Sequence, residues 1–105
     1  MNLRILNYFL TVVYEKNITK AAEVLHITQP TLSRQLMQLE EELGVKLFDR
    51  SQHKFALTPS GHFLVERAKE ILNMVEKTTL DIQEQEHNLT GSIAMGAGEY
   101  QATEA

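Results

Sequence analysis

In the stretch TQPTLSRQLMQLEEELG, residues 28–44, Gln29, Thr31 and Arg34 place an amide, a hydroxyl and a guanidinium near the start of a predicted helix. These groups share one kind of chemistry, hydrogen bonding to polar planar edges. An amide can pair with adenine, and a guanidinium fork can bridge a guanine edge or clamp a phosphate. Arginine suits either task better than lysine because its donors are fixed in a plane. Other chemistry has little to work with. The chain has no cysteine, and His26, His53, His62 and His87 show no paired metal-ligand spacing. GAGEYQ, residues 96–101, has Gln101 where a dinucleotide loop needs its third glycine. No nucleophile elbow or P-loop occurs, and NIT and NLT match glycosylation acceptors by chance in a chain without an export signal. Neither a catalytic residue nor a metal or cofactor site is expected.

The elements that must hold those groups follow from periodicity. Residues 3–15 place Leu6, Phe9, Leu10 and Val13 at helical spacing, and Lys16-Asn17 breaks the pattern. Thr19 is the expected N-cap of a second helix, with Ala22 and Leu25 facing inward and an end near His26. Thr28 caps the third, Pro30 falls in its first turn, Leu32, Leu36, Leu39 and Leu43 form a stripe, and Gly44 ends it. The short gap between helices two and three favours the sharp crossing of a helix-turn-helix over an antiparallel hairpin. Thr31, Arg34 and Gln38 lie opposite the leucines. The front of the helix, where backbone N–H groups are expected to lie free beside Gln29, Thr31 and Arg34, suits a major groove. Glu40, Glu41 and Glu42 oppose the macrodipole and would be repelled by phosphates, so only that front end is expected to approach DNA. Helical spacing alone also describes small helical proteins that bind nothing.

The next segment narrows the choice. KLFDRSQHKFALTPSG, residues 46–61, alternates around Phe48 and around Phe55 and Leu57, as in a short two-stranded hairpin with its tip at Ser51 to His53. Arg50 and Lys54 flank that tip. Packed on a helix-turn-helix, such a hairpin is a wing whose basic side chains can enter a narrow minor groove; the competing reading is a solvated turn. Charge is distributed to match. Although the 105-residue chain carries a formal net charge of −4, residues 1–70 hold nine Lys/Arg against eight Asp/Glu, and residues 71–105 hold one lysine against six acids.

The run NYFLTVVYEKNITKAAEVLHITQPTLSRQLMQLEEELGVKLFDRS with the later ALTPSG resembles the N-terminal DNA-binding region of LysR-type transcriptional regulators, over about residues 3–90. The resemblance implies a mainly α fold: a winged helix-turn-helix of three helices and a short wing, a long dimerising linker helix, and a separate domain for a small-molecule effector. Gln29, Pro30, Ser33 and Arg34 match residues at the front of the recognition helix that meet DNA, with Thr31 where alanine is commoner, and Arg50 matches the wing arginine. The departure is the wing tip, Ser51-Gln52-His53-Lys54, where family members often carry glycine. Ser33 lies nearer the buried flank and either touches a phosphate or packs. Thr19 and Lys20 are either phosphate contacts or solvated.

Beyond Thr58 and Pro59 a fourth helix is expected to run to about residue 89. Roughly 30 residues at 1.5 Å each give a rod on the order of 45 Å. Leu64, Ala68, Ile71, Val75, Thr78, Ile82, Gln85 and Leu89 recur along it at alternating steps of four and three. Such a seam asks for a partner helix, against the competing reading of packing within one chain. The expected organisation is a winged helix-turn-helix over 1–58, a linker and dimerisation helix over 59–89, and the start of a truncated effector-binding domain over 90–105, with Ser92 to Met95 as its first strand.

The expected function is that of a cytoplasmic, dimeric, sequence-specific regulator bound to double-stranded DNA, not an enzyme and not at a membrane, with a tetramer open for the full-length protein. The alternative is a winged-helix protein-interaction module with a coiled-coil arm.

Overall fold

A computed structural model describes residues 1–51 and 55–93, with residues 88–93 by backbone alone. Among these the fold is mainly helical, with α1 Leu3–Glu15, α2 Ile18–Leu25, α3 Gln29–Leu43 and α4 Pro59–Ile93. Lys54, the tip of the expected hairpin and the residues from 94 onward lie outside the described part.

Short-range signals start each helix and stop the first three. The side chain of Asn2 accepts from the Ile5 N–H at 2.8 Å and opens α1. Its exit at Lys16 is left-handed, with φ 56. That turn sets the next backbone extended at Asn17, whose side chain accepts from the Lys20 N–H at 2.9 Å. The N-cap of α2 is therefore Asn17 and not Thr19, which becomes an exposed first-turn residue. At the other end of α2, His26 is left-handed with φ 60, and the Ile27 N–H reaches back to the Ala22 carbonyl at 3.0 Å. This closure leaves α2 and α3 only three residues apart, because Thr28 already caps α3 by accepting from the Thr31 N–H at 3.3 Å. Gly44, with φ 74, ends α3.

The chain divides into two units, Met1–Leu72 and Asn73–Ala105. In the first, Ile5, Leu6, Phe9 and Val12 of α1 meet Ala21 and Ala22 of α2 and Leu32, Leu36 and Leu39 of α3. Leu43, the last of the expected stripe, is exposed where the helix runs out. Leu47 and Phe48 close the core from below α3, with the Phe48 ring 5.5 Å from Phe9 and 5.6 Å from Phe55. Phe48 and Leu57 form an antiparallel bridge, flanked by hydrogen bonds from Asp49 N–H to the Ala56 carbonyl and from Thr58 N–H to the Leu47 carbonyl, both 3.0 Å. Thr58 then caps α4, accepting from the Gly61 N–H at 3.0 Å, with Pro59 at the first helical position.

The start of α4 belongs to this core. Leu64, Val65 and Ala68 are buried there, and Ile71 and Leu72 pack against it partly buried. For Leu64 and Ala68 this corrects the expectation of a partner-facing seam: a 72-residue unit with short helices needs the apolar face of a fourth to close its interior. In the second unit Val75, Thr78 and Ile82 of the same helix are exposed, and the side chain of Leu89 lies outside the described residues. The helix also continues past residue 89 to Ile93, so Ser92 and Ile93 are helical where a strand was expected; a single Gly91 lowers helix propensity without ending the helix. Among the described residues no helix is long and apolar enough to cross a membrane.

Gly61 is the point of closest approach. A methyl group there would collide with the Leu47 carbonyl oxygen and lie 2.9 Å from Leu57 Cδ2. Because backbone cannot give way as a flexible side chain can, Gly61→Ala is expected to cost about 1–3 kcal/mol. Urea titration should show a lower midpoint with an unchanged slope; an unaltered midpoint would mean that α4 and Leu47 are not held together.

Candidate nucleic-acid interface

The front of α3 carries its polar side chains as the periodicity predicts. Pro30 and Arg34 are exposed, and Gln29, Thr31 and Ser33 are half-buried. Two pairs within this cluster are tied to each other. The Gln29 Nε2 donates to the Ser33 Oγ at 3.0 Å, and the Thr28 hydroxyl donates to that of Thr31 at 2.8 Å. These bonds restrict the rotamers of a short polar surface before any partner arrives, which reduces the ordering cost of a contact. Gln38 shares the outer face one turn beyond Arg34, and Met37 beside it is 52% exposed.

The backbone contributes less than expected. Pro30 has no N–H and that of Thr31 is held by the Thr28 cap, so of the first-turn amides only that of Gln29 is not spent. An anion would meet side chains here, above all Arg34, and not a fan of backbone donors.

A second cluster lies at the other end of α3. Glu40 is 3% exposed, the one buried charged residue among those described. Its Oε2 accepts from the Leu47 N–H at 2.7 Å and the Phe48 N–H at 3.2 Å, and its Oε1 from Arg50 Nη1 at 3.3 Å. Burial pushes this carboxyl upward, but the two amides and the Arg50 guanidinium together outweigh it and hold Glu40 below its ordinary value. Arg50 remains 51% exposed while engaged, and its guanidinium lies 5.7 Å from the centre of the Phe48 ring. Asp49 turns outward and accepts from both the Ser51 N–H at 3.0 Å and the Ser51 hydroxyl at 2.6 Å, which lowers its carboxyl.

The sequence groups Glu40 with Glu41 and Glu42 as carboxylates that oppose the macrodipole and repel phosphates, and the structure separates Glu40 from the other two by burying it. A signal was present. Position 40 follows Leu36 by four residues and precedes Leu43 by three, so it falls on the buried stripe. Arg50, the expected wing arginine, is partly committed to that carboxylate and half exposed. Thr19 and Lys20 are exposed at the start of α2. Among the described residues no group of side chains could hold a metal ion.

Residues 3–62 match the family model for the bacterial regulatory helix-turn-helix protein, lysR family. The chain belongs to the LysR family. It is 48% identical over 101 residues to the HTH-type transcriptional regulator BsdA of Bacillus subtilis, an alignment covering 95% of this chain and 35% of that protein. This LysR-family chain thus spans about a third of the length of that curated relative. Among solved structures it is similar to the BenM DNA-binding domain in complex with catB site 1 DNA, with a TM-score of 0.80, 42% identity and coverage of 84% of this chain and 95% of that one. A complex of the CbnR DNA-binding domain with DNA gives a TM-score of 0.75 at 36% identity, over 81% of this chain and 98% of that one. BsdA and the similar BenM of Acinetobacter baylyi, 48% identical over 77 residues, are HTH-type transcriptional regulators.

The Glu40 cluster makes acid stability testable. Folding lowers the pKa of this carboxyl, so its contribution is complete above the unfolded value, roughly 4.3 for glutamate, and is lost as pH falls through the lower folded value. Glu40→Gln is expected to be less stable than wild type at pH 7 and to lose less further stability between about pH 5 and pH 3. Urea titrations at those pH values check it; equal acid losses in the two proteins would show that Glu40 does not carry the effect.

Proposed function

We propose that this LysR-family chain is the DNA-binding part of a dimeric, sequence-specific transcriptional regulator. The observation that carries the reading is the exposed Arg34 at the front of a capped, proline-started α3, in a fold similar to domains solved in complex with DNA. In this reading α3 enters the major groove of double-stranded DNA. Arg34 is its principal reading residue, Gln29 and Thr31 contact base edges or backbone, Pro30 packs at the groove wall, and Ser33 meets a phosphate. Residues 47–57 form the wing, and Arg50 and Lys54 lie along the adjacent minor groove. A regulator of this kind acts in the cytoplasm, where the DNA is.

Residues 1–58 act as the winged helix-turn-helix and 59–89 as the linker. The latter half of the linker, through Val75, Thr78, Ile82 and Leu89, pairs with its counterpart in a second copy. Val75 at 41% and Ile82 at 59% exposure leave apolar surface for that pairing, whereas Leu64 and Ala68 are spent on the chain's own core and Ile71 partly so. Residues 90–105 lead toward an effector-binding domain, where a small molecule would act.

Mobility-shift titration with the DNA upstream of the protein's own gene tests the reading. Arg34→Ala should lose about 1–3 kcal/mol of specific binding. If about eight phosphates are neutralised, log K should fall against log salt with a slope of about −7. Wild-type affinity in the Arg34→Ala protein would remove the assigned reading residue. For the linker, the double variant Val75→Asp and Ile82→Asp should sediment as a monomer where wild type sediments as a dimer, since carboxylates in a pairing seam have no partner charge; an unchanged dimer would place the interface elsewhere.

A further inference from the structure

Arg50 is held at two points and left open at a third. One guanidinium nitrogen is bonded to the buried Oε1 of Glu40 at 3.3 Å, the Phe48 ring lies 5.7 Å from its centre, and half of the side chain remains exposed. The Glu40 carboxylate is itself immobile, because its other oxygen is fixed by the Leu47 and Phe48 amides. A long cationic side chain with free rotamers would have to be ordered at the moment of contact, and here that ordering is done in advance by a residue of α3.

We propose that Glu40 is a positioning residue for DNA binding: it aims the exposed edge of Arg50 at the minor groove and so makes the wing contact depend on the helix that reads the major groove. The inference rests on the proposed DNA-binding role. Glu40 itself touches no DNA, since its oxygens are buried and occupied. Its effect on binding has the opposite sign to that of its charge. Removing a carboxylate near a polyanion strengthens binding if charge alone matters, whereas releasing Arg50 weakens it. Glutamine in place of Glu40 keeps the size but has one acceptor oxygen for two sites: turned to the amides it faces the guanidinium with its NH2 donors, and turned to the guanidinium it faces the amides with them. A narrow A·T-rich minor groove attracts an inserted arginine most strongly, so the loss should concentrate there.

The test is a double-mutant cycle with the 105-residue chain: wild type, Glu40→Gln, Arg50→Ala and the double variant. Affinities are measured on the upstream duplex with the base pairs flanking the α3 site set to A·T or to G·C. Glu40→Gln should weaken binding to the A·T duplex about tenfold and reduce the A·T preference, and it should change affinity less than about twofold once Arg50 is alanine. An equal loss with and without Arg50 would show a purely structural role, and tighter binding by Glu40→Gln would show that charge alone matters; either overturns the proposal. If Arg50→Ala binds like wild type while Arg34→Ala does not, the minor-groove role of Arg50 is wrong and the positioning role falls with it, leaving the reading by α3 intact. Loss of specific binding to the duplex by wild type itself would instead sink the function. Arg50→Lys guards against misfolding of Glu40→Gln, because a single ammonium cannot hold Glu40 through one nitrogen and present a fork with the others. It should bind within about threefold of Arg50→Ala, and wild-type affinity in Arg50→Lys would overturn the inference.

Discussion

A carboxylate shut away from water must find donors or give up its charge, and the organisation of the Met1–Leu72 unit turns on how Glu40 meets that demand. It meets it with two consecutive backbone amides and a guanidinium, all from the segment that follows α3. The Leu47 and Phe48 amides therefore cannot drift from the helix. Phe48 is held where its ring packs against Phe9 and Phe55, and Leu47 where its carbonyl accepts from Thr58. Thr58 in turn starts α4, and Gly61 permits the close passage beneath Leu47. One polar interaction thus links the C-terminal turn of α3, the bridge at Phe48 and Leu57, and the first turn of α4. An apolar residue at position 40 could fill the same volume. It could not fix the direction of two amides and an arginine.

The opposite end of α3 depends on backbone geometry more than on burial. Left-handed residues at Lys16 and His26 close α1 and α2 without glycine, each followed at once by the cap of the next helix or the approach to it. Asparagine and threonine at those caps satisfy amides that would otherwise be orphaned, and proline then pre-sets the first turn of α3. The result leaves Arg34 and its neighbours on an outward face whose orientation is set by residues with no direct part in contact. The exposed polar face and the buried scaffold are separated by half a turn of one helix.

Much of this was legible from residue types in order. Thr28, Pro30 and Gly44 delimit α3, Thr58 and Pro59 start α4, and Leu32, Leu36 and Leu39 mark the inner face of α3, because caps, proline and periodicity act between residues a few positions apart. The motif around residues 19–50 was specific enough to indicate the LysR family, whose model then matches residues 3–62. The choice of Asn17 over Thr19 as a cap was not, since both are competent and a left-handed Lys16 decides between them.

What the sequence by itself determined is the set of helices, the bounds of α1 and α3, and which polar groups stand at the front of α3. Only the tertiary structure decided which amides the buried Glu40 anchors, that Arg50 is shared between that anchor and the surface, and that Leu64 and Ala68 face the chain's own core. The physical reason is that burial is a property of places where distant segments meet. Residues 40, 47, 48 and 50, or residues 9, 48 and 64, acquire their environments from one another, and no local pattern of spacing records which partner each will find.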